Sequence, residues 1–227
     1  MKIFLPFICF FFFFFNISAQ ENTLRPKICF TLIIGGVKII SHIGILKAID
    51  SAGLKIDYIT GTSMGAIVGA LYAVGYSGAE IENLRKDIDF DVLFSNNVPL
   101  QTLSMEEKEQ YSRFAIELPV INNKIRLQTG LISGQELNLK FSELFFKVYN
   151  IHDFDSLHIP FKCMATNLAT GDLVVLDTGN LITALRATMA IPSVFSAVTL
   201  NDKKLVDGGL VRNFPVKNVK EMGADIV

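Results

Sequence analysis

The chain has 227 residues, half of them hydrophobic, and its 21 basic residues nearly balance its 22 acidic residues. A chain of this length can form one domain with a full hydrophobic core. It contains no run or stripe of lysine and arginine, so its composition argues against a nucleic-acid partner.

The N-terminal segment differs in composition from the rest of the chain. Lys2 is followed by an apolar run at 3–15 and then by a short segment that ends in small residues at Ala19. This order is typical of a secretory signal peptide. The run is shorter than the roughly 20 residues of a membrane-spanning helix, which makes an uncleaved anchor the less favoured alternative. We therefore expect a signal peptide at 1–19, a short lead at 20–26, and export to the periplasm, the outer membrane or the medium.

The remaining residues, 27–227, read as one domain of alternating strands and helices. The hydrophobic pattern predicts strands at 27–34, 56–60, 161–167 and 173–176, helices at 39–52, 63–74, 77–88, 135–146 and 181–190, and a hairpin around Asn201 and Asp202. Ser77 and Glu80 are spaced as a capping box. Repeated strand–helix units predict a mainly parallel sheet covered on both faces.

Two further segments carry expectations. The stretch 89–150 is polar and mixed, apart from the helix at its end, and we expect a lid or a substrate-facing insertion there. Residues 223–227 read as a helix cap followed by the start of a buried strand, so we expect the chain to be a C-terminally truncated fragment.

Cys29 and Cys163 lie in apolar runs and are predicted to be buried free thiols, although an oxidising compartment could pair them.

The pentapeptide Gly61-Thr62-Ser63-Met64-Gly65 lies between a predicted strand and a predicted helix. This is the setting of a nucleophile elbow, in which a tight turn forces the serine side chain outward and the two glycines leave room for strand and helix. The positive end of the helix would favour an oxyanion nearby. Ser63 is therefore the candidate nucleophile. The alternative is a serine that only caps a tightly packed helix.

A serine nucleophile needs a base. The histidines are His42, His152 and His158, and none follows the best acidic candidate, Asp207, as the serine–acid–histidine order of α/β-hydrolases requires. His42 lies among apolar residues of a predicted helix and is interpreted as a structural residue. His152 and His158 are predicted to be on the surface. The histidines of this chain thus disfavour a histidine-dependent triad.

Asp207 is followed by Gly208 and Gly209 and preceded by an apolar stretch. A carboxylate held at a strand end beside flexible glycines can accept the serine proton directly, a contribution of roughly 10²–10⁴-fold. The alternative for the tripeptide is an ordinary turn.

Taken together, these motifs resemble those of the patatin-like phospholipases of the bacterial, secreted type, over residues 27–227. The segments that carry the resemblance are 34–38, 42–46, 57–65, 129–134, 165–167, 186–192 and 207–209. The resemblance implies a three-layer α/β/α fold with a mainly parallel central sheet and a Ser63–Asp207 dyad without histidine. It also implies hydrolysis of acyl esters in phospholipids or related lipids, contact with a membrane surface, and no metal or other cofactor.

One loop departs from the family pattern. The family's first loop supplies backbone N–H groups to the oxyanion, and here Ile34 and Ile39 stand where its first and last glycines are expected. Gly35, Gly36, Val37 and Lys38 remain as the candidate oxyanion hole. A β-branched residue cannot take a glycine-only conformation, and one oxyanion donor is worth roughly 10²–10³ in rate. The alternatives are therefore a catalytically impaired domain that binds lipid or membrane, or a serine esterase, thioesterase or acyltransferase acting on other substrates.

Overall fold

The computed structural model describes residues 25–33, 39–88, 120–121, 124–125, 130–132, 134–213 and 216–227. Three predictions lie outside these residues: the signal peptide at 1–19, the oxyanion loop from Gly35 to Lys38 together with Ile34, and most of the expected insertion, at 89–119. They stay predictions.

The elements follow the predicted alternation of strands and helices. The strands are β1 (Cys29–Leu32), β2 (Tyr58–Thr62), β3 (Val120–Ile121), β4 (Lys124–Ile125), β5 (Gly130–Ile132), β6 (Phe161–Asn167), β7 (Leu173–Leu176), β8 (Ser193–Phe195), β9 (Val198–Leu200) and β10 (Lys203–Asp207). The α-helices are α1 (Ile39–Ala52), α2 (Met64–Ala73), α3 (Gly78–Asp87), α4 (Gln135–Leu144), α5 (Leu181–Thr188) and α6 (Val216–Glu221). In the part of the chain described, no helix is both long and apolar enough to cross a membrane.

A six-stranded mixed sheet forms the centre of the domain. β1 and β2 pair in parallel, and so do β2 and β6. β7 and β10 pair antiparallel to β6, and β9 pairs antiparallel to β10. Four of the strands (β1, β2, β6 and β9) therefore run in one direction. The predicted three-layer α/β/α fold is confirmed, with a mostly parallel sheet flanked by helices.

Strand β6 brings the ends of β2 and β10 together. β2 pairs with the first part of β6 and ends at the pair Thr62–Met164. β10 pairs with the last part of β6 and ends at the pair Asp207–Ala165. β7 pairs with residues of β6 that also pair with β2 or with β10. It therefore lies along one edge of β6, while β2 and β10 share the other edge. Consecutive strand residues rise by about 3.3 Å. The two strands thus end head to head against adjacent residues of β6.

Helix α2 packs closely on the sheet because its inner face is made of small residues. A Cβ added at Gly69 would lie 3.0 Å from the Ile59 side chain and 3.1 Å from that of Leu32. Ala66 and Ala70 on the same helix are fully buried. This close approach holds the start of α2, which follows Ser63 directly, firmly against β2.

Several local predictions are confirmed by the structure. Ser77 and Glu80 form the capping box of α3, with both reciprocal hydrogen bonds present. Asn201 and Asp202 have φ angles of 48° and 59° and connect β9 to β10 as a hairpin. Cys29 and Cys163 are buried free thiols.

Other predicted boundaries were wrong. β2 extends to Thr62 rather than to residue 60, because Gly61 and Thr62 still pair with Cys163 and Met164 of β6. Helix α2 begins only at Met64, so the turn between strand and helix consists of Ser63 alone. The buried strand expected at the end of the chain is instead an isolated bridge of Ile226 with Ile28, and Ile226 is 49% exposed.

Candidate active site

Ser63 occupies a strained turn between β2 and α2. Its φ of 54° and ψ of −127° are unusual for a residue that carries a side chain. The flanking glycines are required sterically: a Cβ at Gly61 would lie 2.7 Å from the backbone nitrogen of Ala66, and one at Gly65 would lie 2.6 Å from the carbonyl oxygen of Ile33. The structure therefore places Ser63, Gly61 and Gly65 in the geometry of a nucleophile elbow.

The same contact shows where the candidate oxyanion loop begins. Gly65 touches the backbone of Leu32 and Ile33, the last residues described before the loop. The chain therefore enters the loop beside the first turn of α2. Peptide nitrogens at a helix N-terminus carry a partial positive charge. Thr62, which is fully buried, is the last residue of β2 before Ser63, and Met64 is the first residue of α2 after it.

Asp207 is the last residue of β10 and is only 2% exposed. Its N–H donates to the Ala190 carbonyl at 3.0 Å, and its carbonyl accepts from Thr166 Oγ1 at 3.0 Å. Carboxylate Oδ1 accepts from the Gly209 N–H at 2.8 Å. A side chain at Gly208 would collide with the Met164 carbonyl. Asp207-Gly208-Gly209 is thus a buried, anchored turn.

The Ser63 hydroxyl and the Asp207 carboxylate are neighbours. Burial raises the pKa of Asp207 above its ordinary 3.8, while the Ser63 hydroxyl and the Gly209 N–H oppose this rise by hydrogen bonding. Oδ2, however, accepts no hydrogen bond from any described residue. The hydroxyl and the carboxylate therefore lie close together but are not aligned for a hydrogen bond.

Thr188 is a site residue to which the sequence assigned no role. This fully buried residue ends α5, and its Oγ1 accepts a hydrogen bond of 3.0 Å from the Ser63 N–H, 125 residues away. The same hydroxyl donates to the Met164 carbonyl on β6. Thr188 therefore ties the strained serine backbone to β6, the strand against which β2 and β10 both end. The segment 186–192 contributed to the resemblance, but nothing in its local pattern indicated this contact.

The histidines lie where the sequence predicted. His42 is 8% exposed on α1, beside the core residues Ile43 and Leu46. His152 and His158 are exposed. Within the described residues, no three histidine, cysteine, aspartate or glutamate side chains are grouped so that they could hold a metal ion.

Ser63 thus lies in a strained turn between strand and helix, next to the buried carboxylate of Asp207, in an α/β domain with a mostly parallel sheet. A family model described as "Patatin-like phospholipase" matches residues 35–220. The chain belongs to the patatin-like phospholipase family.

Curated relatives include the "Lysophospholipase NTE1" of Meyerozyma guilliermondii, which is 27% identical over 195 residues, or 85% of this chain and 12% of that protein. The protein of the same name in Kluyveromyces lactis is 30% identical over 193 residues, again 85% of this chain and 12% of that protein. The chain thus spans a small part of these relatives. The structure of VipD from Legionella pneumophila aligns with a TM-score of 0.52 at 16% identity, covering 84% of this chain and 47% of that chain, and so supports the fold.

Proposed function

We propose that this domain is a lipid acyl hydrolase, in which Ser63 is the nucleophile and Asp207 is its base. The observation that carries the proposal is the Ser63 hydroxyl in its strained elbow beside the buried Asp207 carboxylate. The lysophospholipase names of the curated relatives support a phospholipid or related acyl-ester lipid as substrate.

The proposed reaction has two steps. Asp207 accepts the proton of the Ser63 hydroxyl as the hydroxyl oxygen attacks the acyl carbonyl carbon, and it passes this proton to the leaving alcohol oxygen as the ester C–O bond breaks. Asp207 then accepts a proton from water as the water oxygen attacks the acyl–serine carbonyl carbon, and it returns that proton to Ser63 Oγ as the carboxylic acid leaves. Negative charge on the carbonyl oxygen would be stabilised by the N-terminal peptide groups of α2 and by the loop Gly35–Lys38.

We further propose that the domain works at a membrane surface. Exposed apolar residues lie on two loops next to Asp207: Ile191 is 45% exposed, Leu210 59% and Val211 47%. The loops are joined by the hydrogen bond from Asp207 N–H to Ala190. Apolar side chains around the site suit contact with acyl chains of a lipid layer.

An alkyl fluorophosphonate, which reacts covalently with activated serines, tests the proposed function. We expect labelling of the parent protein at Ser63, located by peptide mass spectrometry, and faster turnover of dispersed phospholipid than of a soluble short-chain ester. A folded parent that is never labelled would instead support the catalytically impaired alternative. Preference for the soluble ester would support a non-lipid esterase.

The first prediction concerns pH. Asp207 must be ionised to act as a base, and burial holds its pKa above 3.8. Activity is therefore lost as pH falls through this raised pKa, and the acid limb of kcat/KM should have its midpoint above 3.8. The measurement is kcat/KM against pH, with melting curves at each pH. A midpoint at or below 3.8 in folded protein would contradict the assignment of Asp207.

The second prediction concerns Thr188. Thr188→Val keeps the shape but leaves the buried Ser63 N–H and Met164 carbonyl without this partner, at about 1–3 kcal/mol of stability for each group. Because the elbow is then less well oriented, kcat should fall by roughly 10- to 100-fold with KM little changed.

Two further variants sharpen this test. Thr188→Ser should restore most of kcat, because it keeps the hydroxyl. Thr183→Val, on the same helix, removes a hydroxyl that donates to the local Asn180 side chain, its one partner among the described residues, and should leave kcat unchanged. Equal kcat in the Thr188→Val and Thr183→Val variants would rule out a positioning role for Thr188.

A further inference from the structure

An apolar groove runs from the elbow between α1, α2, α3 and α4. It encloses about 530 Å³ of space between atoms, part of it open to solvent. Its floor is one face of α2, formed by Met64, Ile67, Val68 and Leu71. These residues have the i, i+3, i+4, i+7 spacing of a single helix face.

One end of the groove lies next to the proposed nucleophile, although Ser63 and Asp207 themselves are not among its lining residues. Met64 is the peptide neighbour of Ser63, and Ile39 is the first residue of α1, directly after the candidate oxyanion loop. The other end lies at Leu71 and Leu144, near the hydrogen bond that Tyr76 donates to the Leu144 carbonyl. From Met64 to Leu71 the helix rises by about 10.5 Å.

The lining matches an alkyl chain. Among the described residues that line the groove, only Arg85 and Lys140 are charged, and Lys140 is paired with Glu143 at 2.9 Å. The other described lining residues are apolar. Carbon–carbon bonds are about 1.5 Å long and zigzag, so an extended chain of roughly eight carbon atoms spans the distance along α2.

We propose that this groove holds the acyl chain of the ester cleaved at Ser63 and sets the preferred chain length, with Leu71 at the end that lies away from Ser63. The proposal rests on the proposed function. It also gives Ile39 a role: the side chain is 9% exposed and forms the wall of the groove where the family pattern has glycine.

The proposal predicts a dependence on chain length in the full chain. The rate of covalent labelling of Ser63 is measured with butyl and decyl fluorophosphonates, and the decyl-to-butyl ratio is compared between variants. Each buried methylene is worth a factor of about four. Leu71→Phe shortens the groove by about two methylenes, so the ratio should fall by roughly tenfold or more.

Leu139→Phe is the matched control, since Leu139 lies on α4 but is 58% exposed and does not line the groove. Its ratio should equal that of the parent. If Leu71→Phe does not fold, Ile67→Phe replaces it, because Ile67 is only partly buried in the middle of the groove. An unchanged ratio in a folded groove variant would overturn the proposal.

A separate measurement keeps the groove testable if no probe labels the parent, an outcome that would reject the proposed function. Binding of decanoate to the Ser63→Ala protein is measured by calorimetry, with and without Leu71→Phe. Binding that Leu71→Phe weakens by about tenfold supports the groove as an alkyl site without any catalysis. Absent binding, or binding that the substitution leaves unchanged, rejects it.

Discussion

Ser63→Ala is expected to lower turnover of an acyl ester by at least roughly 10³-fold, with the fold intact. The substitution removes one oxygen atom, the proposed nucleophile, and leaves the glycine contacts of the elbow in place. Ser63 is only 6% exposed and has a φ of 54°, and its hydroxyl lies beside the Asp207 carboxylate. Steady-state kinetics on one phospholipid measure the turnover, and melting curves measure whether the variant is folded.

Two other serine variants serve as comparisons. Ser142→Ala removes a hydroxyl on α4 that bonds to the Asn138 carbonyl on the surface, and it should leave kcat unchanged. Ser63→Gly should be as inactive as Ser63→Ala but more stable by about 1 kcal/mol or more, because glycine adopts the strained backbone without a Cβ penalty. If Ser63→Ala keeps a kcat within about threefold of the parent, Ser63 is not the nucleophile.

Asp207→Asn is expected to reduce kcat by roughly 10²–10⁴-fold and to stabilise the protein at neutral pH. The amide cannot accept the serine proton. The gain in stability follows from the raised pKa: the folded state holds the proton more tightly than the unfolded chain does, so the stability contributed by Asp207 is lost as pH rises through its folded pKa. At neutral pH the buried ionised carboxylate therefore costs free energy, and asparagine removes that cost.

Kinetics and the free energy of unfolding are measured on the same preparations. The control is Asp202→Asn in the exposed β9–β10 turn, where asparagine also tolerates a positive φ and both quantities should stay near those of the parent. Loss of stability in Asp207→Asn, with activity retained, would show that Asp207 is a structural residue of its turn.

Much of the local structure was predictable because its causes lie within a few residues. The Ser77–Glu80 capping box, the Asn201–Asp202 hairpin and the bounds of β6 and β7 depend on short-range hydrogen bonds and on the hydrophobic pattern. The elbow at Ser63 was predictable for the same reason. Its glycines are needed by contacts that the strand–turn–helix order already implies, and only the bounds of β2 and of α2 were wrong.

The relation between Ser63 and Asp207 had no such local cause. Each lay in a short motif, and only the resemblance to a family joined them in one site. Their proximity follows from register: β2 and β10 end against consecutive residues of the same edge of β6. Hydrophobic alternation specifies which face of a strand is buried, but it does not specify which strand lies beside it or where its neighbour stops.

The sequence by itself thus determined the class of fold, the elbow and the two side chains of the candidate site. The tertiary structure alone decided the support of Ser63 by Thr188 and the groove along α2. The periodic apolar residues of α2, α3 and α4 predict that each helix has an apolar face. The same sequence pattern occurs whether such a face packs against another helix or borders an open groove. Which of the two occurs depends on how closely separate helices approach, and distant contacts set that spacing.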